Sequence, residues 1–273
     1  MSHDHPDNRD ILSYLVNVCY ELKDLLGYER ACEMLVKADP KNADAAYAKA
    51  CGHYANLHPI LALLAFQNAV NRFPNHQKAE EARQTIAELD SQVDQLLADL
   101  QLTRSDSWEI ALLHERAQAA LTQGEYEQAQ TTFEELIRLR PDWISAYNNL
   151  SLIGNILGDN HGAIAHCQNA LEIEPDNIHA LANLTRYYVL NGDLEQAEII
   201  AKRLKNSQAR GWDVLTKKAE ALSYLGDDDA IVQLFEQAKA SEEIIENRRW
   251  RNSRSGSFAQ TRNFSQAVSF FGI

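Results

Sequence analysis

The chain reads as an all-α solenoid of helix–turn–helix units, in two short arrays joined by a long helix. Three observations predict this fold. Gly124, Gly158, Gly192 and Gly226 recur at one constant interval. Each is followed by an acid, Glu125, Asp159, Asp193 and Asp227. An alanine then follows at Ala129, Ala163 and Ala197, with Ala230 one residue early. The interval is the length of a repeated helix pair, about 34 residues. Glycine takes the left-handed conformation that ends a first helix. The acid caps the next helix, and alanine lets two antiparallel helices approach closely.

Residues 110–143 and 144–177 are the clearest units, closed by Pro141 and Pro175, each followed by Asp. Proline cannot continue a helix and pushes the residue before it out of helical geometry. Small residues mark the first helices at Ala117, Ser151, Thr185 and Ala219. Phe133 and Phe235 are expected to fill the interior from the second helices, with Cys167 and Ala201 smaller at that place. Residues 178–210 and 212–240 form the third and fourth units. Upstream, Ala50, Ala62, Phe66, Ala69 and Pro74 repeat the spacings of Ala117, Ala129, Phe133, Leu136 and Pro141, so 43–76 is another unit. Pro40 lies one full period before Pro74, and the stretch from Asp10 to Asp39 reads as a shortened unit with Gly27 at its turn.

Residues 77–102 differ. Ala79, Ala82, Ile86, Leu89, Val93, Leu96 and Leu100 alternate spacings of three and four, a heptad seam along one helix. Such a helix would run about 39 Å. It is either a partner-facing coiled coil that makes a homodimer or a cap over the preceding unit. Thr103 to Ser107 read as a break. The domain plan is therefore degenerate units over 1–76, a connecting helix and break over 77–106, an array of about four repeats over 107–240, and a basic tail over 241–273. The tail carries Arg248, Arg249, Arg251, Arg254 and Arg262 among Trp250, Phe258 and Phe264. Disorder is expected after about Asn252, with the basic tail folding back on the chain's own groove as the sharper alternative.

Composition sets the partner class. A formal net charge of −13 argues against a nucleic-acid backbone and favours a basic or apolar protein segment. The cysteines Cys19, Cys32, Cys51 and Cys167 have no Cys-x-x-Cys spacing, so no zinc site and no cofactor are expected, and a reduced cytoplasm is the simplest setting. His3 and His5 make a poor metal site on a terminus. No apolar run approaches membrane-spanning length, so no membrane partner is expected. No catalytic motif is present: His114-Glu115 lacks the second histidine of a metalloprotease helix, and there is no phosphate-binding or nucleophile-elbow glycine pattern.

Together the glycine–acid–alanine period, the small first-helix residues and the closing prolines resemble the tetratricopeptide repeat family. The resemblance is specific over 110–177, good over 43–76 and 178–205, and weaker over 10–42 and 212–240. It departs at Arg116 and Lys218, where the family usually has Leu, and at Ala120 and Gly154, where Tyr is common. It implies a right-handed stack whose first helices line a concave groove that holds a peptide or partner segment. The groove-facing residues would be His114 and Gln118, then Asn148, Asn149 and Asn155, then His179, Asn183 and Arg186, followed by Lys217 and Glu220.

Asn149 and Asn183 are equivalent, one full period apart. They read either as an amide ladder for a ligand backbone or as a solvated polar face. Family members that clamp a C-terminal carboxylate use lysine and asparagine where this chain has His114 and Gln118, and lysine and arginine where it has His179 and Asn183, so that grip is not expected. The resulting expectation is a non-enzymatic interaction scaffold. The alternatives are an arm that positions substrate for a separate catalytic domain such as a transferase, and a structural subunit that self-assembles through 77–102.

Overall fold

The computed structural model describes residues 8–99, 102–207 and 211–240. The readings for the tail, for His3 and His5, and for Leu100 lie outside these residues. Among them there are thirteen helices: α1 (Arg9–Glu21), α2 (Leu25–Ala38), α3 (Ala43–Ala55), α4 (Pro59–Arg72), α5 (Ala79–Asp99), α6 (Arg104–Thr122), α7 (Tyr126–Leu139), α8 (Ile144–Leu157), α9 (Asn160–Ile173), α10 (Ile178–Leu190), α11 (Leu194–Asn206), α12 (Trp212–Leu225) and α13 (Asp228–Ala240). The described residues up to Glu125 form one compact unit and those from Tyr126 a second. The two helices of the 110–143 repeat thus fall in different units.

The turn between paired helices is the same throughout. Gly124, Gly158, Gly192 and Gly226 have φ between 68° and 83°. In the two upstream hairpins that place is taken by Lys23 (φ 56°) and Leu57 (φ 63°), themselves separated by the same interval as the glycines. The left-handed turn therefore persists where the glycine does not. Leu57 bears the steric cost of that backbone while exposing 45% of its surface. Leu57→Gly should raise stability by about 1 kcal/mol, read as a higher urea midpoint at unchanged slope.

In four hairpins the aspartate after the turn caps the following helix. Asp24, Asp159, Asp193 and Asp227 accept the backbone N–H three residues on, at 2.9–3.2 Å. Gly27 is not at the turn, as its spacing suggests, but inside α2. A Cβ there would meet Asp24 Oδ2 at 2.1 Å and Cys19 Sγ at 3.0 Å, so a larger residue requires the capping carboxylate to turn aside. Periodic asparagines start three first helices: Asn8, Asn42 and Asn177 each accept an N–H of the first turn.

In the first unit, Leu12, Leu35 and Ala45 make one core cluster, and Tyr28, Cys19, Cys32 and Ala48 another. Helix α5 packs on α4, burying Ala82, Leu89 and Val93 of the seam. Of the expected break from Thr103 to Ser107, only Thr103 lies outside a helix. Helix α6 begins at Arg104, whose guanidinium pairs with Asp90 at 2.9 Å and Asp94 at 2.5 Å. The polar stretch that looked like a loop is the first turn of a helix anchored by these charges.

In the second unit, Cys167, Leu181, Leu184, Tyr187, Leu204 and Ala221 centre the core. Phe133, Ser151 and Thr185 are fully buried as their spacing predicts. Lys218 is buried too and donates from Nζ to the Ser207 carbonyl at 2.8 Å, which lets a cation replace the usual leucine. All four cysteines are free and buried. No helix among the described residues is long and apolar enough to cross a membrane.

Candidate functional site

The second unit stacks α8, α10 and α12 so that their equivalent residues form one face. Small buried side chains at Ser151 and Thr185 permit the close spacing. On this face Asn183 Nδ2 donates to Ser151 Oγ at 3.2 Å, joining α10 to α8. Asn148 Nδ2 donates to Asn177 Oδ1 at 3.1 Å, and the same oxygen caps α10 through the Ala180 N–H at 3.0 Å. Asn149, the sequence equivalent of Asn183, instead turns back on its own helix and donates to the Ser145 carbonyl at 2.9 Å. Equal register has not produced equal contacts.

Arg186 is the most enclosed cation on the face, its side chain 14% exposed. Its guanidinium lies 4.9 Å from the ring centre of Tyr187 and 5.9 Å from that of Tyr224. Nη2 donates to the Tyr187 hydroxyl at 3.1 Å, while Nη1 reaches Glu220 only at 3.4 Å. Arg186 Nε and Asn148 Oδ1 are buried and have no hydrogen-bond partner among the described residues. Lys217 pairs with Glu220 at 3.0 Å. His179 is exposed at the start of α10, and Asn155 is half-buried near the end of α8. His114 and Gln118 lie on α6 and belong to the first unit, where both are half-buried and burial lowers the His114 pKa. Ser151, Tyr187 and Tyr224 complete the second-unit face and were not singled out as site residues by spacing. Ser151 shares its register with Thr185, whereas Tyr187 and Tyr224 occupy register positions that neither Asn183 nor Arg186 shares.

A second polar constellation lies inside the first unit. Glu29 on α2 has no exposed surface. Its Oε1 faces His53 Nδ1 at 2.6 Å and His58 Nδ1 at 3.1 Å, and its Oε2 accepts from Asn56 Nδ2 at 2.6 Å. Burial alone would raise this carboxyl, but the hydrogen bonds and charge of the two imidazoles outweigh it and bring the pKa to about 2. Burial likewise opposes the charged form of His58, and Glu29 reverses it, so that His58 is raised.

His58 occupies the slot after the turn where the other hairpins carry an acid, and its side chain caps nothing. Glu115, from α6, supplies the missing cap by accepting the N–H groups of Ile60 at 3.2 Å and Leu61 at 2.7 Å. Burial raises the Glu115 pKa to about 7 against the pull of those two donors.

Tetratricopeptide repeat models match residues 110–142 and 156–217. Over those residues the chain is similar to the tetratricopeptide repeat family, whose fold supports a protein-interaction scaffold in the broad sense. It is 27% identical over 213 residues to the TPR repeat-containing protein YvcD of Bacillus subtilis (strain 168), a match covering 75% of this chain. The chain spans only 42% of the length of that relative. Among solved structures it is similar to pilF of Pseudomonas aeruginosa (15% identity, 91% of this chain and 99% of that one, TM-score 0.42). It is also similar to a tetratricopeptide repeat protein of Parabacteroides merdae ATCC 43184 (14% identity, 96% and 93%, TM-score 0.44).

Proposed function

We propose that the chain holds an extended protein segment along the face of α8, α10 and α12, and contributes no catalytic chemistry of its own. One observation carries this reading: the face contains a buried donor, Arg186 Nε, and a buried acceptor, Asn148 Oδ1, both without partners among the described residues. Leaving such groups unpaired costs about 1–3 kcal/mol each. An extended backbone presents one N–H and one C=O per residue and answers both needs once the partly exposed Arg186 and Asn148 side chains turn outward. The aromatic walls of Tyr187 and Tyr224 fix the guanidinium, and Glu220 places an acid beside it for a basic side chain of the partner. The net charge of −13 favours a basic or apolar segment in the same way.

The test is a random-peptide display selection on the full chain, followed by fluorescence anisotropy with the peptide recovered. Asn148→Ala and Asn183→Ala should each weaken binding about 3–10-fold, and Arg186→Ala by at least about 10-fold, with helical circular dichroism unchanged. Selected peptides whose affinity is indifferent to all three substitutions would place the contact elsewhere and remove this reading.

A further inference from the structure

We propose that Glu29, His53 and His58 form a binding site for one divalent transition-metal ion of the zinc type. One ligand atom from each of the three lies within 4.8 Å of the others, and all three residues are buried. Two imidazole nitrogens and a carboxylate oxygen are the donor set of sites that bind zinc with three protein ligands and leave a fourth position open. In a tetrahedral site with bonds near 2.1 Å, neighbouring donors stand roughly 3.4 Å apart. The Glu29 Oε1 separations of 2.6 Å to His53 and 3.1 Å to His58 need only small outward shifts to reach that spacing.

Two further groups fit the ion. Asn56 is 8% exposed, and its Oδ1 accepts no hydrogen bond among the described residues. Its amide cannot be reversed, because Nδ2 already serves the Leu25 and Gly52 carbonyls and Glu29 Oε2, at 2.9, 3.1 and 2.6 Å. Oδ1 is left as an acceptor for a fourth ligand position, directly or through a metal-bound water. On the far side of His53, Glu33 Oε1 stands 3.5 Å from Nε2. A carboxylate behind a ligating histidine orients its ring and raises its basicity.

The departures from the repeat pattern converge on this place. Leu57 holds a left-handed turn that glycine holds in four other hairpins. His58 replaces a capping acid, and Glu115 comes from another helix to do the capping instead. Local conflicts of this kind gather at functional sites. Bound there, the ion would tie α2 to the α3–α4 turn, with any proton on the two Nδ1 atoms released to solvent.

The probe is Zn(II) alone, titrated calorimetrically into the full chain in two buffers of different ionisation enthalpy. The expected result is one ion per chain, proton release, and a higher melting temperature. Co(II) in place of zinc should give the intense visible bands of a four-coordinate site. His53→Gln and His58→Asn should abolish the stoichiometric event, leaving any weak uptake by His3 and His5. Glu33→Gln, a change at a partly exposed position that leaves the core intact, should weaken Zn(II) about 10-fold. Failure of the folded wild type to take up stoichiometric Zn(II), or an affinity unmoved by both Glu33→Gln and His53→Gln, overturns the proposal. Neither outcome bears on peptide binding by the second unit.

Discussion

Glu115→Ala is expected to destabilise the first unit by about 2–3 kcal/mol. The substitution strips two backbone N–H groups at the start of α4 of their acceptor, and Ile60 is only 1% exposed, so water is a poor replacement. The neighbouring His58 side chain does not cap.

Glu115 also sets a pH dependence. The unfolded chain ionises this carboxyl near its ordinary 4.5, and the folded chain near 7. Between those values the folded state binds more protons, so this group's contribution to stability falls as pH rises through the window and is level above it. Glu115→Gln keeps one acceptor and should flatten that slope. Denaturant unfolding from pH 4.5 to 7.5 compares the two chains, and parallel profiles would contradict the assignment.

Gly52→Ala is expected to cost about 1–2 kcal/mol even though it places a better helix former inside α3. Its Cβ would come to 2.9 Å from Glu29 Cα and 3.2 Å from Glu29 Cβ. The first of these is backbone, so relief requires α2 to move away from α3. Overpacking of this kind costs about 1–3 kcal/mol, against a propensity gain of at most about 1 kcal/mol. The movement also draws Glu29 from His53, which it contacts at 2.6 Å. Chemical denaturation gives the loss, and the ring N–H proton resonance of His53 should shift upfield. An equal or higher midpoint would mean that α2 has slack at this crossing.

The helix pairs were legible because period, cap and stop agree from 110 to 177. Upstream the same geometry was half hidden. Lys23 and Leu57 take the turn conformation without announcing it, because packing of the flanking helices imposes the backbone there. Gly27 is visible in the sequence but misleads: its smallness serves the Asp24 carboxylate inside a helix, not a bend. Thr103 to Ser107 look like a loop until Arg104 is seen to pair with two aspartates of the preceding helix.

On the face of the second unit, the repeat register located Asn149 and Asn183. It could not foresee that one bonds its own helix while the other crosses to Ser151. Glu29, His53 and His58 come from two helices and a turn, and no spacing rule joins them. The signal that could have found them is an exception, a histidine at position 58 where the pattern calls for an acid.

The four buried sulfurs have a practical consequence. Burial pushes the Cys19, Cys32 and Cys51 thiols up, and brings Cys167 to about 12, so almost none is thiolate at neutral pH. A fluorophore or spin label can therefore be attached through one new surface cysteine with the native four left in place. Three of those native sulfurs belong to one compact unit and a single one to the other. Alkylation followed by mass mapping under partial denaturation thus reports separately which half of the molecule has opened.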